Sequence, residues 1–158
     1  MDATRQMPQT QSARDFDALR RRRAELRESI GVLEEALAAP ATGRAIAWGE
    51  RVHAALRHIA DDFTEHVVVT EGPDGLHADI QNAAPRLARA VTRLAGEHLD
   101  LTAEIAGLVA ATQAGVVEVE VVAIRDRGVA LLAALTRHRQ RGADLVFEAF
   151  ETDLGAGD

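Results

Sequence analysis

The 158-residue chain contains no cysteine, no tyrosine and no lysine, and aromatic side chains make up only 3% of it. Without cysteine there is no disulfide-stapled scaffold, no thiolate metal site and no cysteine nucleophile. Proline is scarce as well, at 4 residues, so little in the chain interrupts a helix. No apolar run approaches the roughly 18 residues of a membrane span, and residues 1–12 lack the apolar centre of a signal peptide. A basic face is missing too: the net charge of -7 argues against a surface for duplex nucleic acid. These exclusions lead to the expectation of a cytoplasmic protein with neither nucleic-acid nor membrane partners.

What is present favours helix. Alanine occurs 31 times and all 18 basic residues are arginine; both are strong helix formers. Residues 1–14 are polar, contain Pro8 and read as a disordered arm, and residues 153–158 read as a frayed tail. Between them, residues 15–152 carry four apolar stripes with steps of three and four. The first comprises Phe16, Leu19, Leu26, Ile30, Leu33 and Leu37, and Pro40 stops it. The second, from about Ala45 to Thr70, comprises Ala45, Val52, Leu56, Ile59 and Phe63, with Trp48 beside it. Gly72 is expected as a left-handed cap and Pro73 as the barrier to continuation. Asp74–Gln81 has room for a short helical turn. A third stripe, starting around Asn82–Pro85, runs through Leu87, Val91, Leu94, Leu101, Ile105 and Leu108 to near Gly115. Val116–Val122 alternates like a strand, but a lone strand would have no partner, so helix is expected there. The fourth stripe continues through Ile124, Leu131, Leu135, Leu145 and Ala149, with Gly128 and Gly142 in register. A glycine at a core position costs about 1 kcal/mol in helix propensity, so these two imply close backbone approach or open space. The pattern predicts an all-α domain, an antiparallel up-down-up-down four-helix bundle.

Three of the six histidines fall on these stripes. His66 follows Phe63 by three, His98 lies between Leu94 and Leu101, and His138 follows Leu135 by three. His53, His58 and His77 fall off the stripes or in a loop and read as solvated surface. An unpartnered buried imidazole costs a few kcal/mol, so the three inward ones must be paired, hydrated or ligated. At about 1.5 Å per residue from the flanking turns, His66 and His138 are nearly level and His98 about two turns away. Near that level the first helix offers Arg23, and Asp62, one turn before His66, can pair with His66 or Arg23. Three readings remain open. His66, His138, Arg23, Asp62 and Glu97 can form a polar layer that fixes register. His66, His98 and His138 can hold a single metal ion with one carboxylate. Alternatively, the site is a small-molecule or anion pocket with Arg23 as the electrophilic partner.

Phe63–Glu71 with His66, Leu94–Leu101 with Glu97 and His98, and Leu135–His138 followed by Leu145–Phe147 together resemble the hemerythrin-like (HHE cation-binding) four-helix bundles. The resemblance spans roughly residues 15–150 and implies a bundle whose histidines and carboxylates hold a non-haem di-iron centre. The ligand set here departs from that pattern. Arg23 stands at the first-helix histidine, Thr70 at one bridging carboxylate and Ala143 at the other; Glu71 and Asp144 each fall one residue late. On the third helix, His98 has Leu94 and Thr102 where a second histidine would stand. A di-iron centre needs both acids to bridge and neutralise two cations, so none is expected.

The chain is therefore read as a non-catalytic helical-bundle binding or interaction protein of hemerythrin-like kind without a complete di-iron site. The alternative is a metal- or small-ligand-binding sensor that uses the remaining core histidines. No Gly-rich phosphate loop, strand-borne serine nucleophile or His-Glu-x-x-His pair points to an enzyme. No cofactor is expected beyond at most one divalent iron or zinc ion on His66, His98 and His138. Arg23, Asp62, Thr70, Glu71 and Glu97 are the candidate polar core or pocket residues. The expected state is a monomer or homodimer, with a protein or small-molecule partner that the sequence does not identify.

Overall fold

A computed structural model describes the chain from Met7 to Phe150, without the side chains ahead of Asp17 or that of Leu19. Four long helices dominate it: α1 (Met7–Ala38), α2 (Ala45–Glu71), α4 (Ala88–Gln113) and α5 (Val121–Phe150). A short helix, α3 (Leu76–Ala83), lies between α2 and α4, and single 3-10 turns at Pro85–Leu87 and Glu118–Glu120 lead into α4 and α5. No strand occurs among the described residues. The long helices close a ring: α1 packs on α2, α2 on α4, α4 on α5 and α5 back on α1, while α3 touches α2, α4 and α5.

The stripes form the core. Leu26, Ile30, Leu33 and Leu37 of α1 are buried with Val52, Leu56, Ile59 and Phe63 of α2. Leu101, Ile105 and Leu108 of α4 meet Ile124, Leu131 and Leu135 of α5 in the same cluster. A second apolar cluster gathers Leu76, Ile80, Leu87, Val91, Leu94 and Leu145 around α3. On every helix that carries one, the core histidine falls between these two clusters, as His98 does between Leu94 and Leu101. Phe16 and Leu19 lie outside the described side chains.

Several boundaries differ from expectation for identifiable reasons. Helix α1 starts at Met7, inside the segment expected as an arm. Pro8 is tolerated there because first-turn N–H groups have no intrahelical acceptor. Residues 1–6 and the tail expected at 153–158 lie outside the described residues. Gly72 is not a left-handed cap: its φ is -57°, and its N–H donates to Val68 O. Gly75 is the constrained residue of that link, since a Cβ would sit 2.6 Å from Thr70 O. Val116 and Val117 are neither strand nor helix. Gly115, at φ +91°, turns the chain, and Val116 is then buried so tightly on Gly49 that a Cβ there would approach it to 2.6 Å. The two core glycines of α5 divide as their register implied. A Cβ on Gly128 would meet Leu37 at 2.7 Å, whereas one on Gly142 would meet nothing within 4 Å. Arg125 ties α5 to the end of α1 by donating to Leu37 O at 2.9 Å and Ala39 O at 3.0 Å, with its guanidinium 5.2 Å from the Trp48 ring.

Candidate metal centre

Helices α2, α4 and α5 each deliver one histidine to a common point. His66, His98 and His138 are 9%, 2% and 3% exposed. Each offers a ring nitrogen within 4.8 Å of the other two, so the three could hold one metal ion. The two-turn offset expected for His98 is absent. The register of α2 against α4 is marked by His53 Nδ1 and Thr112 Oγ1, 2.9 Å apart. From that contact, His66 and His98 lie about equally far along their helices, roughly 20 Å at 1.5 Å per residue. His53 is thus half-buried and structural, not the solvated side chain expected; His58 is exposed.

The hydrogen bonds assign the tautomers. His138 Nδ1 lies 2.8 Å from Glu97 Oε2, and His98 Nδ1 bonds Glu71 Oε1. A carboxylate accepts only, so each Nδ1 donates, which in a neutral ring leaves the inward Nε2 with its lone pair free. These Nε2 atoms are 3.1 Å apart, and His66 Nε2 is 3.4 Å from that of His138. Metal–nitrogen bonds of 2.0–2.1 Å at a tetrahedral angle span about 3.3 Å between ligand nitrogens. A carboxylate behind a ligating imidazole also fixes its orientation and raises its basicity. Glu97 is itself held by Arg141 Nε at 2.8 Å. Burial opposes its ionisation, but bonds from Arg141 and His138 keep its carboxyl below the usual range.

Burial works against protonation of His66 and His138. Burial, followed by the fields of His98, His138, Arg23 and His77, pushes the His66 pKa down to about 3. Burial also lowers that of His138 against the opposing pull of Glu97. Phe63 floors the group: its ring centroid is 5.7 Å from His66, 5.8 Å from His98 and 6.1 Å from His138. His66 Nδ1 is buried without a hydrogen-bond partner.

A cavity of about 260 Å³ opens beside the histidines. Its walls include Arg23, Arg27 and Arg139, the hydroxyl-bearing Thr70 and Thr136, and apolar Leu26, Ile80, Leu94 and Leu145. Gly142 also borders it, which accounts for the open space at that position. Burial, then the neighbouring Arg139, lowers the Arg23 pKa.

Not every expected residue joins the site as foreseen. Asp62 pairs with neither His66 nor Arg23; it accepts a hydrogen bond from Ser29 Oγ on α1. Thr70 borders the cavity, but its hydroxyl donates to His66 O at 2.6 Å, the common back-bond of a helical threonine. Glu71 supports His98 from the exposed side and does not line the cavity. His77, expected at the surface, is buried and stacks on His98 with centroids 5.6 Å apart and planes at 4°. Its spacing of three from the buried Ile80 on α3 was the available signal. Arg27 and Arg139 were also missed, since an arginine on a helix flank looks the same whether it faces solvent or a cavity.

The di-iron centre implied by the resemblance does not fit these residues. Among the described residues no carboxylate borders the cavity; Thr70 and Arg23 do, and Ala143 offers no donor. Comparison of the chain with known families, characterised proteins and solved structures returns no match.

Proposed function

We propose that this chain is a mononuclear metal-binding protein, with His66, His98 and His138 holding one divalent ion in a binding or sensing role. One observation carries the reading. The Nε2 atoms of His98 and His138 face each other at 3.1 Å while Glu71 and Glu97 occupy both Nδ1 protons. Two acceptor lone pairs at that distance repel unless a cation lies between them. A proton shared by His98 and His138 would relieve that pair alone, whereas an ion also engages His66 Nε2, 3.4 Å from His138 Nε2, which supports the metal reading. Three imidazoles without a carboxylate ligand suit zinc better than the two-histidine, one-carboxylate set of non-haem iron.

The scaffold of this reading is an antiparallel up-down-up-down bundle of hemerythrin-like kind. It is supported by the ring of helix contacts and by the pairing of His53, early in α2, with Thr112, at the end of α4. Titrating tag-free, metal-free protein with cobalt(II) tests the proposal through the intense visible bands of a four-coordinate ion. The bands should saturate at one equivalent in the wild type and be missing in His98→Ala and His138→Ala. Weak octahedral bands, or unchanged spectra in both variants, would contradict it.

A further inference from the structure

Among the described residues, three arginines border the cavity and no carboxylate does. Arg23 and Arg139 are half-buried, on α1 and α5, and both line the cavity. Among the described residues, none of the three makes an ion pair, whereas Arg22, Arg127 and Arg141 on the outer faces do. Arg27 is exposed, but Arg23 and Arg139, half-buried beside a cavity with no acid among the described residues, lack the counter-charge that buried cations ordinarily have. Leu26, Ile80, Leu94 and Leu145 give the cavity an apolar side.

We propose that the cavity binds a small carboxylate with a short apolar body. One carboxylate oxygen would complete the coordination of the ion on His66, His98 and His138, and the other would accept from Arg23 and Arg139; this rests on the metal reading. A three-histidine centre leaves one tetrahedral position open, and an anion there lowers the combined charge of metal and arginines. Guanidinium matches the planar carboxylate, and the apolar wall takes the hydrocarbon end. A cavity of about 260 Å³ has room for a carboxylate of a few carbons. Gly142 keeps that volume open.

The test is calorimetric titration of the zinc-loaded chain with butyrate, alongside butan-1-ol and butylammonium, after zinc stoichiometry has been measured separately. Butyrate should bind one to one, butan-1-ol and butylammonium should not, and removing zinc should weaken butyrate at least about tenfold. Arg23→Gln and Arg139→Gln should each weaken butyrate about tenfold or more while zinc remains at one per chain, the loss expected for a charge-assisted hydrogen bond. Arg139→Lys should retain part of the affinity, since a cation remains without the planar fork. If zinc binds but butyrate does not, or if the arginine variants bind it as well as the wild type, this proposal fails and the metal reading stands. If no zinc binds, both fail.

Discussion

At the scale of single residues, the chemistry depends on which nitrogen of each ring carries the proton. Glu71 and Glu97 take the Nδ1 protons of His98 and His138, leaving Nε2 of each as an inward ligand. Glu97→Gln and Glu71→Gln should therefore weaken zinc by about 10- to 100-fold each with little change in the helical spectrum, as removal of such outer partners does. Unchanged zinc affinity in both would show that the carboxylates are surface decoration. The metal-free protein should also be acid-sensitive. His66 titrates near 3 when folded and near 6.5 when unfolded. Between those values the unfolded chain binds a proton that the folded one refuses, so stability is flat above pH 6.5 and falls as the pH drops below it. One such group contributes a slope approaching about 1.4 kcal/mol per pH unit. His138 and His77 are shifted in the same direction and steepen it. Urea midpoints should be lower at about pH 5 than at about pH 7.5, and His66→Leu should flatten the difference. A midpoint that stays level or rises on acidification would contradict the buried neutral imidazoles.

At the scale of elements, helix faces were legible from period alone and register was not. The steps Leu94, His98, Leu101 and Phe63, His66, Thr70 identified inward positions correctly, because a residue three or four away from a core leucine shares its face. Depth along the bundle failed for His98, since counting from turns ignores how a loop enters its helix. The contact that marks the register, His53 with Thr112, joins two unremarkable polar residues 59 positions apart. His77 was missed for a related reason: a short helix between Gly75 and Pro85 shows too little period to reveal its face. The glycines of α5 were readable only as a pair of alternatives, which the packing then divided between them. Gly128→Ala would drive a methyl into Leu37 and should lower stability by about 1–3 kcal/mol. Gly142→Ala has room and should raise it by up to about 1 kcal/mol through helix propensity. Unfolding in urea checks both; the same sign for the two changes would refute the packing assignment.

At the scale of the whole molecule, the apolar core is continuous along four helices except where the histidine layer separates its two clusters. Leucine at those three positions would join the clusters, so the imidazoles cost the metal-free fold some stability that ligand binding can return. Any ion that binds only the folded chain stabilises it by about 2.7 kcal/mol at a hundred times its dissociation constant. The central claim, one divalent ion on three histidines, is tested most directly by calorimetric titration of the tag-free, metal-free chain with zinc at about pH 7.5, since protons compete with a metal for imidazole. The account predicts one zinc per chain in the wild type and none in His66→Ala, His98→Ala or His138→Ala. Two ions per chain, or one that survives all three substitutions, would contradict it.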